Sequence, residues 1–171
     1  MKIAKILNQS VVDGDGIRTV IFFSGCSIKC PGCHNQELQN KRKGHNYNAQ
    51  KLLNILKENF NNKITLSGGE PLEQHLDQLL EFILLFKEEC KKRRKRPNIW
   101  IYSGVHYKFE DLLKDPLKKE IFQNCNVLVD GPFILSKKKE LQFRGSSNQR
   151  IINLKKTFHQ KEMIELGGIN G

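Results

Sequence analysis

The sequence predicts an α/β fold, a partial or open β/α barrel built on a mainly parallel sheet. Three observations point there: short β-branched apolar runs stop at glycine turns, stretches of helical period lie between them, and the chain is short. The apolar runs are residues 19–23 before Ser24-Gly25, 64–66 before Ser67-Gly68-Gly69, 99–102 before Ser103-Gly104 and 127–129 before Asp130-Gly131. Such runs read as buried strands. A complete eight-unit barrel needs ~250 residues, and 171 residues leave room for fewer units.

The elements follow in chain order. After the first strand come three cysteines, and then Leu52, Leu53, Leu56 and Phe60 at helical spacing. Asn48 is placed to cap that helix, its side chain accepting from a free backbone N–H. The second strand leads through the Gly68-Gly69 turn to Leu76, Leu79, Leu80, Ile83 and Phe86, again at helical spacing. In the third strand Trp100 and Tyr102 alternate with Ile99 and Ile101, a pattern expected of burial on both faces more than of a cofactor stack. Strand, glycine loop, helix, strand is the grammar of parallel sheets with right-handed crossovers. One domain over residues 1–154 is expected, with a loosely ordered tail over 155–171, where periodicity fades.

Composition narrows the class. Hydrophobic residues make up 38% and charged residues 27%, which suits a folded globular chain. The longest apolar run, residues 82–86, is far below the roughly 20 residues that span a bilayer, and the first residues lack the apolar segment of a secretory signal. A cytoplasmic protein without membrane spans is the expectation. The net charge of +11 invites an acidic partner or nucleic acid. However, six of the cations form one run, residues 91–96, and no aromatic residue interleaves it as a base-stacking surface would require. It reads as a solvated helix end, and nucleic acid is not expected.

Cysteine usage carries the chemistry. Three of the five cysteines follow the first strand as Cys26-x-x-x-Cys30-x-x-Cys33, a spacing suited to a metal centre in a reducing compartment. Gly25, Pro31 and Gly32 let that loop turn its thiols toward one point. His34, His45, Cys90 and Cys125 are the available fourth ligands, but Cys90 sits in a helical pattern and Cys125 beside a strand, where a free cysteine usually serves packing. Three ligands leave a coordination position open, the mark of a reactive centre. An open iron-sulfur site and a zinc site both satisfy the spacing. The Gly68-Gly69-Glu70-Pro71 turn brings backbone groups close to a ligand and adds a carboxylate that can accept from an ammonium group.

The cysteine spacing followed by this turn resembles the radical S-adenosylmethionine superfamily. Residues 13–19, Asp-Gly-Asp-Gly-Ile-Arg-Thr, and Cys33-His34-Asn35 look like the glycyl-radical activating enzymes within it. Residues 127–133 and 143–150 are similar to the activating enzymes of anaerobic ribonucleoside-triphosphate reductases, and the resemblance covers about residues 10–153. It implies a barrel of the radical S-adenosylmethionine type, with a 4Fe-4S cluster on Cys26, Cys30 and Cys33. It also implies S-adenosylmethionine held by Gly32, Cys33, His34, Gly68, Gly69 and Glu70. The implied activity is reductive cleavage of that cofactor to place a glycyl radical on the reductase, the protein partner, with a flavodoxin-type electron donor. No side chain is nominated as a catalytic acid or base. Many superfamily members carry an aromatic residue before the third cysteine, whereas Gly32 stands here. The absence of further clustered cysteines disfavours relatives with added ferredoxin-like centres.

Two other readings share some of these features. A small-molecule cyclase of the 7-carboxy-7-deazaguanine synthase type would use the same cysteine loop, and a zinc-stabilised, basic nucleic-acid-binding protein would use the cysteines and the charge. Arg144 and Arg150, flanking Ser146-Ser147-Asn148, are candidates for holding a carboxylate or the partner's glycine segment.

Overall fold

The computed structural model describes residues 1–167. Its strands are β1 (Lys2–Ser10), β2 (Arg18–Phe23), β3 (His45–Asn46), β4 (Lys63–Gly68), β5 (Asn98–Ser103), β6 (Val127–Asp130), β7 (Lys138–Leu141), β8 (Arg144–Ser146) and β9 (Arg150–Asn153). Its α-helices are α1 (Ala49–Glu58), α2 (Leu76–Lys92), α3 (Asp111–Lys114), α4 (Pro116–Asn124) and α5 (Leu154–Gln160). Seven strands form one sheet in the order β3-β1-β2-β4-β5-β6-β9, and β7 and β8 form a separate hairpin.

The fold is α/β with a mixed sheet. The four strands expected from the apolar runs are β2, β4, β5 and β6, adjacent and parallel. The sheet departs from the expected mainly parallel pattern at its flanks, where β1 and β9 run antiparallel to their neighbours. These flanking strands escape a search for continuous apolar runs because β1 mixes Ile3 and Ile6 with Lys2, Lys5 and Asn8, and β9 offers only Ile151 and Ile152, one to each core, between Arg150 and Asn153.

Side chains alternate between two cores, as the pleat requires. Ile21, Phe23, Ile64, Leu66, Ile99, Ile101 and Leu128 pack under Leu52, Leu53 and Leu56 of α1, Leu79, Phe82, Ile83 and Phe86 of α2, and Ile121 and Phe122 of α4. On the opposite face Trp100, Val127, Val129 and Ile151 make a smaller cluster with Tyr102 and Phe143, while Val20 and Phe22 pack with Leu38. The helices thus share one face of the sheet, and the other face is left to loops.

Local signals hold where capping chemistry decides them. The Asn48 side chain accepts from the backbone N–H of Lys51 at 2.8 Å and opens α1. Phe60 lies beyond the helix end, but it still packs on the core, stacked on Phe86 at 5.7 Å. The segment after residue 155 differs from the expected loose tail. It forms α5, and Leu166 N–H donates to the Ile151 carbonyl at 2.8 Å, so the chain folds back along β9. The last part of the expected tail, residues 168–171, lies outside the described residues.

Arg18, at the start of β2, is wholly buried. Its guanidinium donates to Thr65 Oγ1 at 2.8 Å, to the Asp15, Ile64 and Asn98 carbonyls at 3.0, 2.7 and 3.1 Å, and to Asn98 Oδ1 at 2.9 Å. It also lies over the Trp100 ring at 5.1 Å. A buried guanidinium demands that many acceptors. The result is that the loop before β2 is pinned against the loop face of the sheet, and burial lowers the Arg18 pKa to about 10.

Candidate iron-sulfur site

The carboxyl ends of β2, β4, β5 and β6 open on a cavity of about 500 Å³ on the face without helices. Its walls include Cys26, Cys30, Cys33, His34, Gly68, Gly69 and Glu70, together with Tyr102, Phe133 and Gln149. All the predicted site residues except Gly32 therefore meet on one cavity. Gly32 sits in the same loop with φ +73°, and a side chain there would meet Leu135 and Phe133.

Backbone geometry explains how the cysteine loop and the glycine turn come together. Gly69 N–H donates to the Phe23 carbonyl and Glu70 N–H to the Gly25 carbonyl, both at 2.8 Å. The turn after β4 therefore continues the pairing with β2 into the cysteine loop. Gly25 and Gly68 hold φ of +96° and +100°, a left-handed conformation that glycine adopts without strain. A Cβ on Gly69 would collide with the Gly25 backbone, so two bare backbones must touch here.

Glu70 is 2% exposed. Its carboxylate accepts from Leu72 N–H at 3.1 Å, Gly104 N–H at 2.8 Å and the Ser103 hydroxyl at 3.1 Å. Burial nevertheless pushes its pKa up to about 7. Besides facing the cavity, Glu70 ties the β4 turn to the β5 turn, a role the sequence pattern did not suggest.

Cys26, Cys30 and Cys33 are free and half-buried, and burial raises the Cys26 pKa. Cys33 N–H donates to the Cys30 carbonyl at 3.3 Å, closing the loop between them. Among the described residues no group of three or more His, Cys, Asp or Glu side chains converges on one metal ion. Of the other fourth-ligand candidates, Cys90 and Cys125 are buried in the core beneath the helices, with burial pushing their pKa to about 11 and about 12. His45 pairs with β1 in β3. His34 does face the cavity, its ring 5.5 Å from that of Phe133.

The family model for the 4Fe-4S single cluster domain matches residues 12–152. Relatives named anaerobic ribonucleoside-triphosphate reductase-activating protein include those of Haemophilus influenzae, 34% identical over 85% of this chain and 93% of the relative, and Escherichia coli K12, 32% identical over 85% and 94%. The protein of that name from Enterobacteria phage T4 is 30% identical over 88% of this chain and 93% of its own. The chain belongs to this family of anaerobic ribonucleoside-triphosphate reductase-activating proteins. It carries the family's iron-sulfur domain across most of its length.

In this member of the activating-protein family the two candidate arginines part ways. Arg150 Nε and Nη2 donate to Asp130 at 3.0 and 2.5 Å, and Nη2 also to the Tyr107 carbonyl at 2.6 Å. Asp130 is fully buried and accepts from Tyr107 N–H at 2.9 Å. Arg150 is thus committed to an internal ion pair. Arg144 lines the cavity and donates to the Gln149 carbonyl at 3.3 Å. Tyr102 joins the cavity wall beyond its expected packing role, donating to the Phe143 carbonyl at 2.9 Å. Val11, Val12 and Asp13 also line the cavity. Sequence reasoning missed them because their placement depends on the long-range anchoring of Arg18. Among the described residues no helix is long and apolar enough to cross a membrane.

Proposed function

We propose that this protein activates an anaerobic ribonucleoside-triphosphate reductase by cleaving S-adenosylmethionine reductively at a 4Fe-4S cluster, as a cytoplasmic radical enzyme with a partial barrel. The observation that carries the reading is the meeting of Cys26, Cys30 and Cys33 with Gly68, Gly69 and Glu70 on one cavity at the carboxyl ends of parallel strands. Ligands of parallel α/β sheets gather at such ends. Helices on one face only, with an open cavity on the other, support the partial-barrel reading, in a single domain onto which the segment after residue 154 also packs.

The three thiols would hold the cluster and leave one iron open. When bound, cluster and cofactor supply a 5′-deoxyadenosyl radical that can remove a hydrogen atom from a glycine α-carbon of the reductase. The protein's own part is position and exclusion of water. Gly32, Cys33 and His34 from one side, and Gly68, Gly69 and Glu70 from the other, would border the cofactor. Gly69 permits the close approach of the two loops, and Glu70 fixes the β4 turn to Ser103 and Gly104. Val11, Val12 and Leu141 leave apolar side chains at the cavity for the glycine segment of the reductase to meet. A flavodoxin-type protein would deliver the electron.

The test is anaerobic reconstitution with iron and sulfide, reduction in the presence of S-adenosylmethionine, and chromatography for 5′-deoxyadenosine. The parent is expected to form it and Cys30→Ala to form none. A colourless parent that binds zinc and yields no deoxyadenosine would refute the reading.

A further inference from the structure

Like Lys137, Lys138 and Lys139, residues Lys41, Arg42 and Lys43 form a three-residue concentration of positive charge, shorter than the run at 91–96 and placed very differently from it. The three residues make a single exposed 3-10 turn. Among the described residues none of them takes part in an ion pair. The segment that carries them is fastened to the back of the cysteine loop. Gly25 N–H donates to the Leu38 carbonyl at 2.7 Å, Cys26 N–H to the Gln39 carbonyl at 3.1 Å, and the Ser24 hydroxyl to the Lys41 carbonyl at 3.3 Å. The Lys41 side chain lies directly against Gly25. One thickness of backbone therefore separates this cationic turn from the residues that present the Cys26 thiol.

The turn faces away from the large cavity. None of its three residues lines that cavity, and Lys41 instead borders a separate depression of about 260 Å³ with Lys2, Ser24, Glu73, Gln74 and His75. Lys29, exposed on the cysteine loop, adds a further cation. Of the nearby acids, Glu37 is exposed in the preceding turn, and Glu73 is engaged by the backbone and hydroxyl of Ser27. Local charge is net positive.

The longer run lies at the other end of the sheet. Asn62 Nδ2 donates to the Arg96 carbonyl at 2.7 Å and Asn98 N–H to the Asn62 carbonyl at 2.9 Å, which fixes the run beside the amino ends of β4 and β5. Six residues of β5 separate that end from the cavity rim, or ~20 Å at the usual rise per strand residue. Within the run Arg93 is already spent on Glu89 at 2.7 Å and on the Phe60 ring at 4.3 Å.

We infer that the Lys41–Lys43 turn is the docking surface for an acidic one-electron donor, a reduced flavoprotein, which reaches the cluster through the back of the cysteine loop while the cavity mouth stays free for the reductase. The inference rests on the cluster reading above. In the transfer one electron leaves the flavin hydroquinone, which becomes the semiquinone with loss of a proton to solvent, and the same electron reduces the cluster, with no bond made or broken in this chain. Opposite charge on the two surfaces steers encounter and raises association rates by 10–10³, an effect that salt removes.

The experiment compares the reconstituted parent with a Lys41→Glu/Arg42→Glu/Lys43→Glu variant and a Lys91→Glu/Lys92→Glu/Arg94→Glu control. Stopped-flow bleaching of the cluster is followed with flavodoxin hydroquinone and, separately, with dithionite, and flavodoxin binding is measured by calorimetry. Reversal at 41–43 is expected to slow bleaching by flavodoxin about tenfold at low salt and weaken binding in parallel, with the difference closing at high salt. Its rate with dithionite and the control's rate with flavodoxin stay near those of the parent. The single variant Arg42→Glu, which leaves the Lys41 stem on Gly25, is expected to show a smaller loss of the same kind. Unchanged flavodoxin rates in both 41–43 variants, equal slowing by dithionite in both, a larger loss in the control, or displacement of flavodoxin by duplex DNA would each overturn the inference. A parent with no reducible cluster even with dithionite would instead refute the proposed function on which it rests.

Discussion

At Gly69 a side chain has nowhere to go. A Cβ there would meet the carbonyl group and nitrogen of Gly25, which are backbone atoms and cannot swing aside. Relief requires the cysteine loop to move off the β4 turn, breaking the bonds from Gly69 N–H to Phe23 and from Glu70 N–H to Gly25. Gly69→Ala is therefore expected to cost about 1–3 kcal/mol in denaturant unfolding and to lower the iron retained after reconstitution. Cys30→Ala belongs to the same scale but has the opposite signature. It removes a proposed ligand from a half-buried position without crowding anything, so its stability before reconstitution stays near that of the parent while deoxyadenosine formation is lost.

The β6–β9 pair shows how an element can absorb residues that look functional in isolation. Asp130 ends β6 and Arg150 opens β9, directly opposite in antiparallel register. The carboxylate and guanidinium bind each other through two hydrogen bonds, and both also bind the Tyr107 backbone. The pair therefore closes the sheet edge onto the loop after β5. Asp130→Asn would leave the guanidinium, whose side chain is 20% exposed, without its counter-charge. A loss of about 3 kcal/mol is expected, measured by thermal or urea unfolding, and Arg150→Lys in the parent is expected to cost a smaller part of it, because one ammonium cannot reproduce the two-point geometry. In the sequence Arg144 and Arg150 look alike. Only the register of β9 against β6 separates them.

Over the whole molecule, the helices occupy one face and the proposed chemistry the other. The cysteine loop joins the two through its bonds to the β4 turn and to the 3-10 segment at 36–43. A cluster bound there would hold that loop, the β4 turn and, through Glu70, the β5 turn together, and a group that binds only the folded state stabilises it. Reconstitution with iron and sulfide is expected to raise the melting temperature by at least about 2–4 °C, the shift that 1 kcal/mol gives for a domain of this size, and chelation of the iron to reverse it. An unchanged melting temperature in a fully iron-loaded sample would show that the cluster binds the folded state no more tightly than the unfolded chain. Charge belongs to this scale as well: the run at 91–96 lies beside the amino ends of β4 and β5, whereas the Lys41–Lys43 turn is fastened to the back of the cysteine loop.

The sequence by itself determined the four parallel strands, the two long helices, the Asn48 cap and part of the cavity lining, the three cysteines with His34 and Gly68, Gly69 and Glu70. These rest on short-range chemistry: β-branched runs bury, glycines turn, an Asn caps, and a cysteine spacing marks a loop that can hold metal. It did not disclose β1, whose polar residues mask its pairing, or β9, whose apolar run is only two residues long, nor the helix after residue 154, whose burial comes from β6 and β9. Tertiary structure alone decided that Glu70 binds Ser103 and Gly104, that Arg150 is spent on Asp130, and that residues 11–13 line the cavity. Each of those outcomes joins groups at least 20 positions apart in sequence. Local pattern cannot report them, because the partner that satisfies a buried charge or carboxylate is chosen by sheet register and loop packing.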